Sequence, residues 1–139
     1  MYKKIMAAVD GSETAWQALA EAENIANTYG ATLCIVHSIV YSAGGDIEAD
    51  KKNGKKILEQ AKFLVNASNI ETRLLISETG FGITGITEAI AAAVADWGAD
   101  LIVVGTANRR GLKRFFVGSV AEQLIVKVDS SILLVRPPL

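Results

Sequence analysis

The chain has one cysteine, one histidine, two prolines and few aromatic residues, and each shortage closes off a class of protein. A lone Cys34 forms no internal disulfide, and one cysteine with one histidine makes no zinc site. Cys34 lies in the apolar run "ATLCIVHSIV" and reads as a small buried hydrophobe, not a reactive thiol. No apolar run approaches the roughly 20 residues of a membrane span. The start, "MYKKIMAAVDG", has only a short apolar stretch before a charge and does not read as a signal peptide. The formal net charge of −1 lacks the basic excess of a nucleic-acid or anionic-lipid binder. These absences lead us to expect a soluble, cytoplasmic protein with no nucleic-acid and no membrane partner.

What the chain does have is aliphatic content: half of its 139 residues are hydrophobic, enough for one buried core and one domain over residues 1–139. Five β-branched runs read as strands: Lys3–Val9, Thr32–Ser38, Glu71–Ile76, Leu101–Val104 and Ile132–Val135. "LIVV" and "ILLV" show no polar alternation, as expected of strands covered on both faces. Amphipathic stretches lie between them. The first runs from Ser12 to Tyr29, with Trp16, Leu19, Ala22, Ile25, Ala26 and Tyr29 on one stripe and Gly30 as its left-handed cap. The second is clearest at Ile57, Leu58, Ala61, Leu64 and Val65. The third carries Ile83, Ile86, Ile90, Ala93, Val94 and Trp97 and stops at Gly98. The fourth starts near Ser119 and uses Val120, Leu124 and Val128.

Such β-α alternation predicts an α/β fold, a parallel sheet with helices on both faces and right-handed crossovers. The strand ends at Asp10, Ser38 and Gly105 then share one edge, and open α/β sheets bind ligands outside those carboxyl ends. "YSAGGDIEADKKNGKK" reads as a solvated loop and helix start. "GFGITG", Gly80 to Gly85, matches G-x-G-x-x-G, but "SET" separates it from the strand and Asp100 lies before the next strand, where no ribose-binding acid belongs. A turn into the third helix is the better reading.

The feature that asks for a ligand is "GTANRRGLKRFFVGS". Thirteen residues, Thr106 to Gly118, separate a buried strand from its helix, where α/β connections usually take about 2–6. Gly105, without a side chain, leaves room for a ligand near the backbone, and Gly118 precedes the helix. Ser119 and Glu122 have capping-box spacing, and a helix N-terminus is a natural anion seat. The Ser119 hydroxyl suits both a phosphate oxygen and a helix cap. No Walker A sequence occurs.

At this point the chain resembles the universal stress proteins of the nucleotide-binding type. Their signature is Gly, two residues, Gly, nine residues, Gly, then Ser or Thr, and the matching positions are Gly105, Asn108, Gly118 and Ser119. "AAVDGSETAWQALAEA", "GADLIVVGT", "GLKRFFVGSVAEQLI" and "SSILLVRPP" also read like the family. The resemblance implies a three-layer, adenine nucleotide alpha hydrolase-like sandwich around a five-stranded parallel sheet of order 3-2-1-4-5. It implies ATP across the ends of strands 1, 2 and 4, with Mg2+ or Mn2+ arriving on its phosphates. Ala8, Val9 and Asp10 would lie near the ribose, Asp10 also reaching a metal through water. Ser38 would offer its backbone to adenine. Gly105 and Thr106 would lie under the ribose and α-phosphate, and Asn108, Arg109, Gly118, Ser119 and Val120 around the phosphates. Asn108 departs from the signature's glycine, and asparagine is the least costly ordinary residue where φ is positive. Asp10 also suits a helix cap, and the two roles are compatible.

No general base is assigned near the γ-phosphate, and His37 at a buried strand end reads as structural, so the residues favour a nucleotide-binding regulatory module. A slow ATP hydrolase or autophosphorylating enzyme is one alternative; a nucleotide-free dimerising scaffold is the other. The ending "SSILLVRPPL" puts an apolar strand at a sheet edge, a pairing template unless covered. The resemblance implies a homodimer there, through Ile132, Leu133, Leu134 and Val135.

Overall fold

The computed structural model describes residues 1–41, 44–78, 82–106 and 119–136. The elements are β1 (Lys4–Ala8), α1 (Glu13–Tyr29), β2 (Thr32–Tyr41), α2 (Ile47–Leu64), β3 (Ile70–Glu78), α3 (Gly82–Trp97), β4 (Leu101–Gly105), α4 (Ser119–Lys127) and β5 (Ser131–Val135). The sheet has the expected order, β3-β2-β1-β4-β5, and every pairing is parallel. Because the order reverses at β1, α1 and α2, which lead to β2 and β3, lie on one face of the sheet, and α3 and α4 lie on the other.

Alternation along the strands builds two cores. Ile5, Ala7, Leu33, Ile35, Leu101 and Val103 point toward α1 and α2. Met6, Cys34, Val36, Ile102 and Val104 point toward α3 and α4. Ala15, Ala18, Ala22 and Ala26 give α1 a small-residue face that packs closely on the sheet. Of the stripe read from sequence, Leu19, Ala22 and Ala26 are buried, whereas Tyr29 is exposed and meets Tyr2 edge-on at 5.7 Å. Gly30 (φ 65°) and Gly98 (φ 79°) end α1 and α3 in the left-handed region, as their positions predicted.

Three elements run well beyond their sequence-based bounds. β2 and β3 stay paired as far as Tyr41 and Glu78, beyond the end of β1. Helix α2 begins at Ile47, so most of the polar "YSAGGDIEADKKNGKK" stretch is helical. Asp46 caps it, accepting from the Ala49 N–H at 3.1 Å. The inward position in this half is Gly54, where a Cβ would lie 2.6 Å from Leu74 Cδ1 and 3.0 Å from Ile39 Cγ2. A helix that meets its sheet through glycine shows no apolar periodicity there. Leu64, placed on the inward stripe by its spacing, is exposed.

The opposite edge of the sheet is tied shut. Asp100 accepts from the Lys3 and Lys4 backbone N–H groups at 2.8 and 3.2 Å. Lys4 Nζ donates to the Trp97 carbonyl at 2.9 Å and lies 4.9 Å from the centre of the Trp97 ring. Asp100 thus serves the amino ends of the strands, and two of the three "GFGITG" glycines, Gly82 and Gly85, belong to helix α3. The dinucleotide reading has no structural basis among the described residues.

Candidate functional site

The carboxyl edge is built differently. β1 is the central strand, flanked by β2 and β4, and it ends in the small residues Ala7 and Ala8. Val9 continues the line, donating its N–H to the Val36 carbonyl at 2.9 Å. The half-buried His37 fixes this point from the α1/α2 side: Nδ1–H donates to the Val9 carbonyl at 2.7 Å. Because a carbonyl only accepts, the proton on that ring nitrogen follows from the bond. His37 is therefore a satisfied structural histidine, as its strand-end position suggested.

The exposed Asp10 comes next, and its Oδ1 accepts from the Ser12 N–H at 2.9 Å. Gly11, at φ 86°, makes the turn that this bond closes. Ser12 caps α1, its hydroxyl accepting from the Ala15 N–H at 3.2 Å. The helix cap is therefore Ser12 and not Asp10, whose carboxylate instead closes the turn that precedes α1. A carboxylate has about four acceptor sites, so one bond leaves capacity for a sugar hydroxyl or a water.

Thr14, in the first turn of α1, is a residue that sequence reasoning missed. A Cβ on Gly105 would lie 2.8 Å from Thr14 Cγ2 and 3.0 Å from its carbonyl oxygen. The space freed by that glycine is filled by α1, so helix packing, not ligand access, is what requires glycine here. No local pattern marks a contact between residues so far apart in sequence. Thr106 follows, buried, its N–H donating to the Val135 carbonyl at 2.9 Å.

Ser38 lies toward α3 and α4, in register with Leu75. Its Oγ is enclosed and has no hydrogen-bond partner, and Thr14 Oγ1 is in the same condition. An enclosed, unpaired hydroxyl costs about 1–3 kcal/mol. Of the four enclosed, unpaired side-chain polar atoms found among the described residues, two therefore lie at this edge.

Ser119 opens helix α4, Val120 is half-buried beside the α3/α4 core, and Glu122 lies in the first turn. Asn108, Arg109 and Gly118 lie outside the described residues. Of the predicted set, then, Ala8, Val9, Asp10, Ser38, Gly105 and Thr106 are gathered at one sheet edge by β1, β2 and β4. Among the described residues no group of three His, Cys, Asp or Glu side chains is placed to hold a metal. Cys34 is buried and its thiol is pushed up to about 11 by that burial, which outweighs the lowering effect of the Arg73 charge. It offers no nucleophile.

A concavity of about 420 Å³ lies between α1 and the carboxyl end of β5, where Val135 is in register with Gly105. Gln17, Glu21, Asn24 and Arg136 give it a polar lining. No helix among the described residues is long and apolar enough to cross a membrane.

Comparison with known proteins agrees with this geometry. Residues 1–136 match the family model described as the universal stress protein family. A universal stress protein of Methanocaldococcus jannaschii is 29% identical over 99% of this chain and 84% of its own. The structure of a universal stress protein from Archaeoglobus fulgidus superposes with a TM-score of 0.79 at 26% identity, covering 97% of this chain and 99% of that one. A universal stress protein from the same organism in complex with dAMP superposes at 0.69 with 25% identity, covering 96% of this chain and 98% of that one.

Proposed function

Because the chain belongs to the universal stress protein family, we propose that it is an ATP-binding regulatory protein of the stress response. The nucleotide lies across the carboxyl ends of β1, β2 and β4, its phosphates directed to the N-terminus of α4. The observation that carries this reading is the gathering of Asp10, Ser38 and Gly105 at the carboxyl edge where the strand order reverses. The dAMP complex of the Archaeoglobus relative supports an adenine nucleotide as the occupant.

In this reading Asp10 takes ribose hydroxyls or a metal-bound water, and the backbone of residue 38 meets the base. Asn108, Arg109, Gly118, Ser119 and Val120 surround the phosphates, and Mg2+ or Mn2+ enters with them. Binding, not turnover, is the output: occupancy alters the surface offered to a partner in the cytoplasm. A second copy of the chain is that partner's first candidate, because β5 is an edge strand of apolar residues, Ile132 to Val135, with no strand on its outer side among the described residues.

The test is calorimetric titration of the purified protein with ATP and magnesium, paired with incubation in radiolabelled ATP. Saturable heat and recovery of intact ATP are expected. No heat and no thermal shift at millimolar ATP would overturn the assignment, and steady release of phosphate would replace it with an enzyme.

A further inference from the structure

Ser38 carries an observation that nucleotide binding does not by itself explain. Its neighbours on the same face of β2 are Cys34 and Val36, both fully buried and apolar. Opposite it on β3 is Leu75, which packs into the same core. An apolar residue at position 38 would continue that surface, whereas serine brings in a hydroxyl whose oxygen is enclosed and unpaired. The contrast with Ser77 on the neighbouring strand is direct: that hydroxyl is also buried, but it donates to the Ile39 carbonyl at 3.2 Å. The large majority of buried hydroxyls in folded proteins have a partner, and the one on Ser38 has none.

We propose that the Ser38 hydroxyl reads the base of the bound nucleotide, so that this side chain sets base preference. The inference rests on the nucleotide reading above and adds a side-chain contact to it. Ser38 stands at the carboxyl edge, in line with Asp10 beyond the end of β1, and as a residue it is only half-buried. A serine χ1 has three staggered wells, so an oxygen enclosed in the free protein turns to meet a ring laid across the edge. A hydroxyl both donates and accepts, which suits a base edge carrying ring nitrogens and an exocyclic amine.

This role has a signature that a structural hydroxyl lacks. Removing an unpaired buried hydroxyl relieves the free protein while removing a contact from the complex. Affinities of the parent, Ser38→Ala, Ser38→Thr and Ser77→Ala for ATP and UTP are measured with magnesium, together with ligand-free melting temperatures. Ser38→Ala is expected to melt higher than the parent, to bind ATP roughly 3–10-fold more weakly, and to lose less affinity for UTP. Ser38→Thr, which keeps the hydroxyl, retains the ATP preference. Ser77→Ala melts lower and binds ATP as the parent does. The proposal is overturned if Ser38→Ala melts lower, if its ATP affinity is unchanged, or if ATP and UTP weaken equally. A parent that binds ATP alongside an unaltered Ser38→Ala removes this proposal alone; a parent that binds neither nucleotide removes the nucleotide reading as well.

Discussion

Gly105 shows how one residue type answers two demands. Its position at the end of β4 suggests an open approach for a ligand, yet the atoms nearest to its missing Cβ belong to Thr14. Gly105→Ala must push the first turn of α1 away from β4, because part of that contact is backbone and cannot rotate aside. We expect a loss of about 1–3 kcal/mol in urea unfolding, with ATP affinity reduced because α1 carries the Asp10 turn on its end. Cys34 gives a second residue-scale prediction. With its thiol pushed up to about 11, it resists a thiol reagent at pH 8 in the folded protein and reacts once the chain is unfolded. The folded value lies above the ordinary 9.0, so the unfolded chain ionises first. The Cys34 contribution to stability is present in full below pH 9 and is lost as pH rises toward 11. Rapid labelling of the native protein at pH 8 would contradict this.

At the scale of elements, the strands were legible because β-branched runs covered on both faces have few other readings. The ends of α1 and α3 were legible because Gly30 and Gly98 adopt the left-handed conformation that stops a helix. The first half of α2 was not, since its inward face there is Gly54, and its lysines carry no period that distinguishes a solvated helix from a loop. The close approach of α2 to β2 and β3 depends on that glycine. Gly54→Val places a branched side chain against Leu74, Ile39 and His37, and is expected to cost about 1–3 kcal/mol or more. Thermal unfolding checks the loss, and an unchanged melting temperature would mean that α2 lies farther from the sheet than described. His37, which fixes the Val9 carbonyl, is displaced by the same substitution, so a weaker ATP affinity is expected to accompany it.

For the whole molecule, the reversal of strand order at β1 does most to make a site. It leaves a short central strand flanked by β2 and β4, and places Asp10, Ser38 and Gly105 around its end. The same order makes β5 an edge. Its side chains are only partly buried within one chain, and the polar groove lined by Gln17, Glu21 and Arg136 runs beside it. An apolar edge of this kind pairs readily with an identical one. Leu134→Lys is expected to convert dimer to monomer, or to precipitate the protein, in light scattering after gel filtration; an intact dimer would rule out this edge as the interface.

The sequence by itself determined the alternation of strands and helices, the edge on which the candidate site residues fall, and the inert nature of Cys34. Those follow from periodicity, chain direction and burial, which are local properties. The contact between Thr14 and Gly105, the early start of α2, and the unpaired oxygen of Ser38 were decided only in the tertiary structure. Each depends on which atoms of a distant segment come to lie against a given side chain, and no spacing along one chain encodes that.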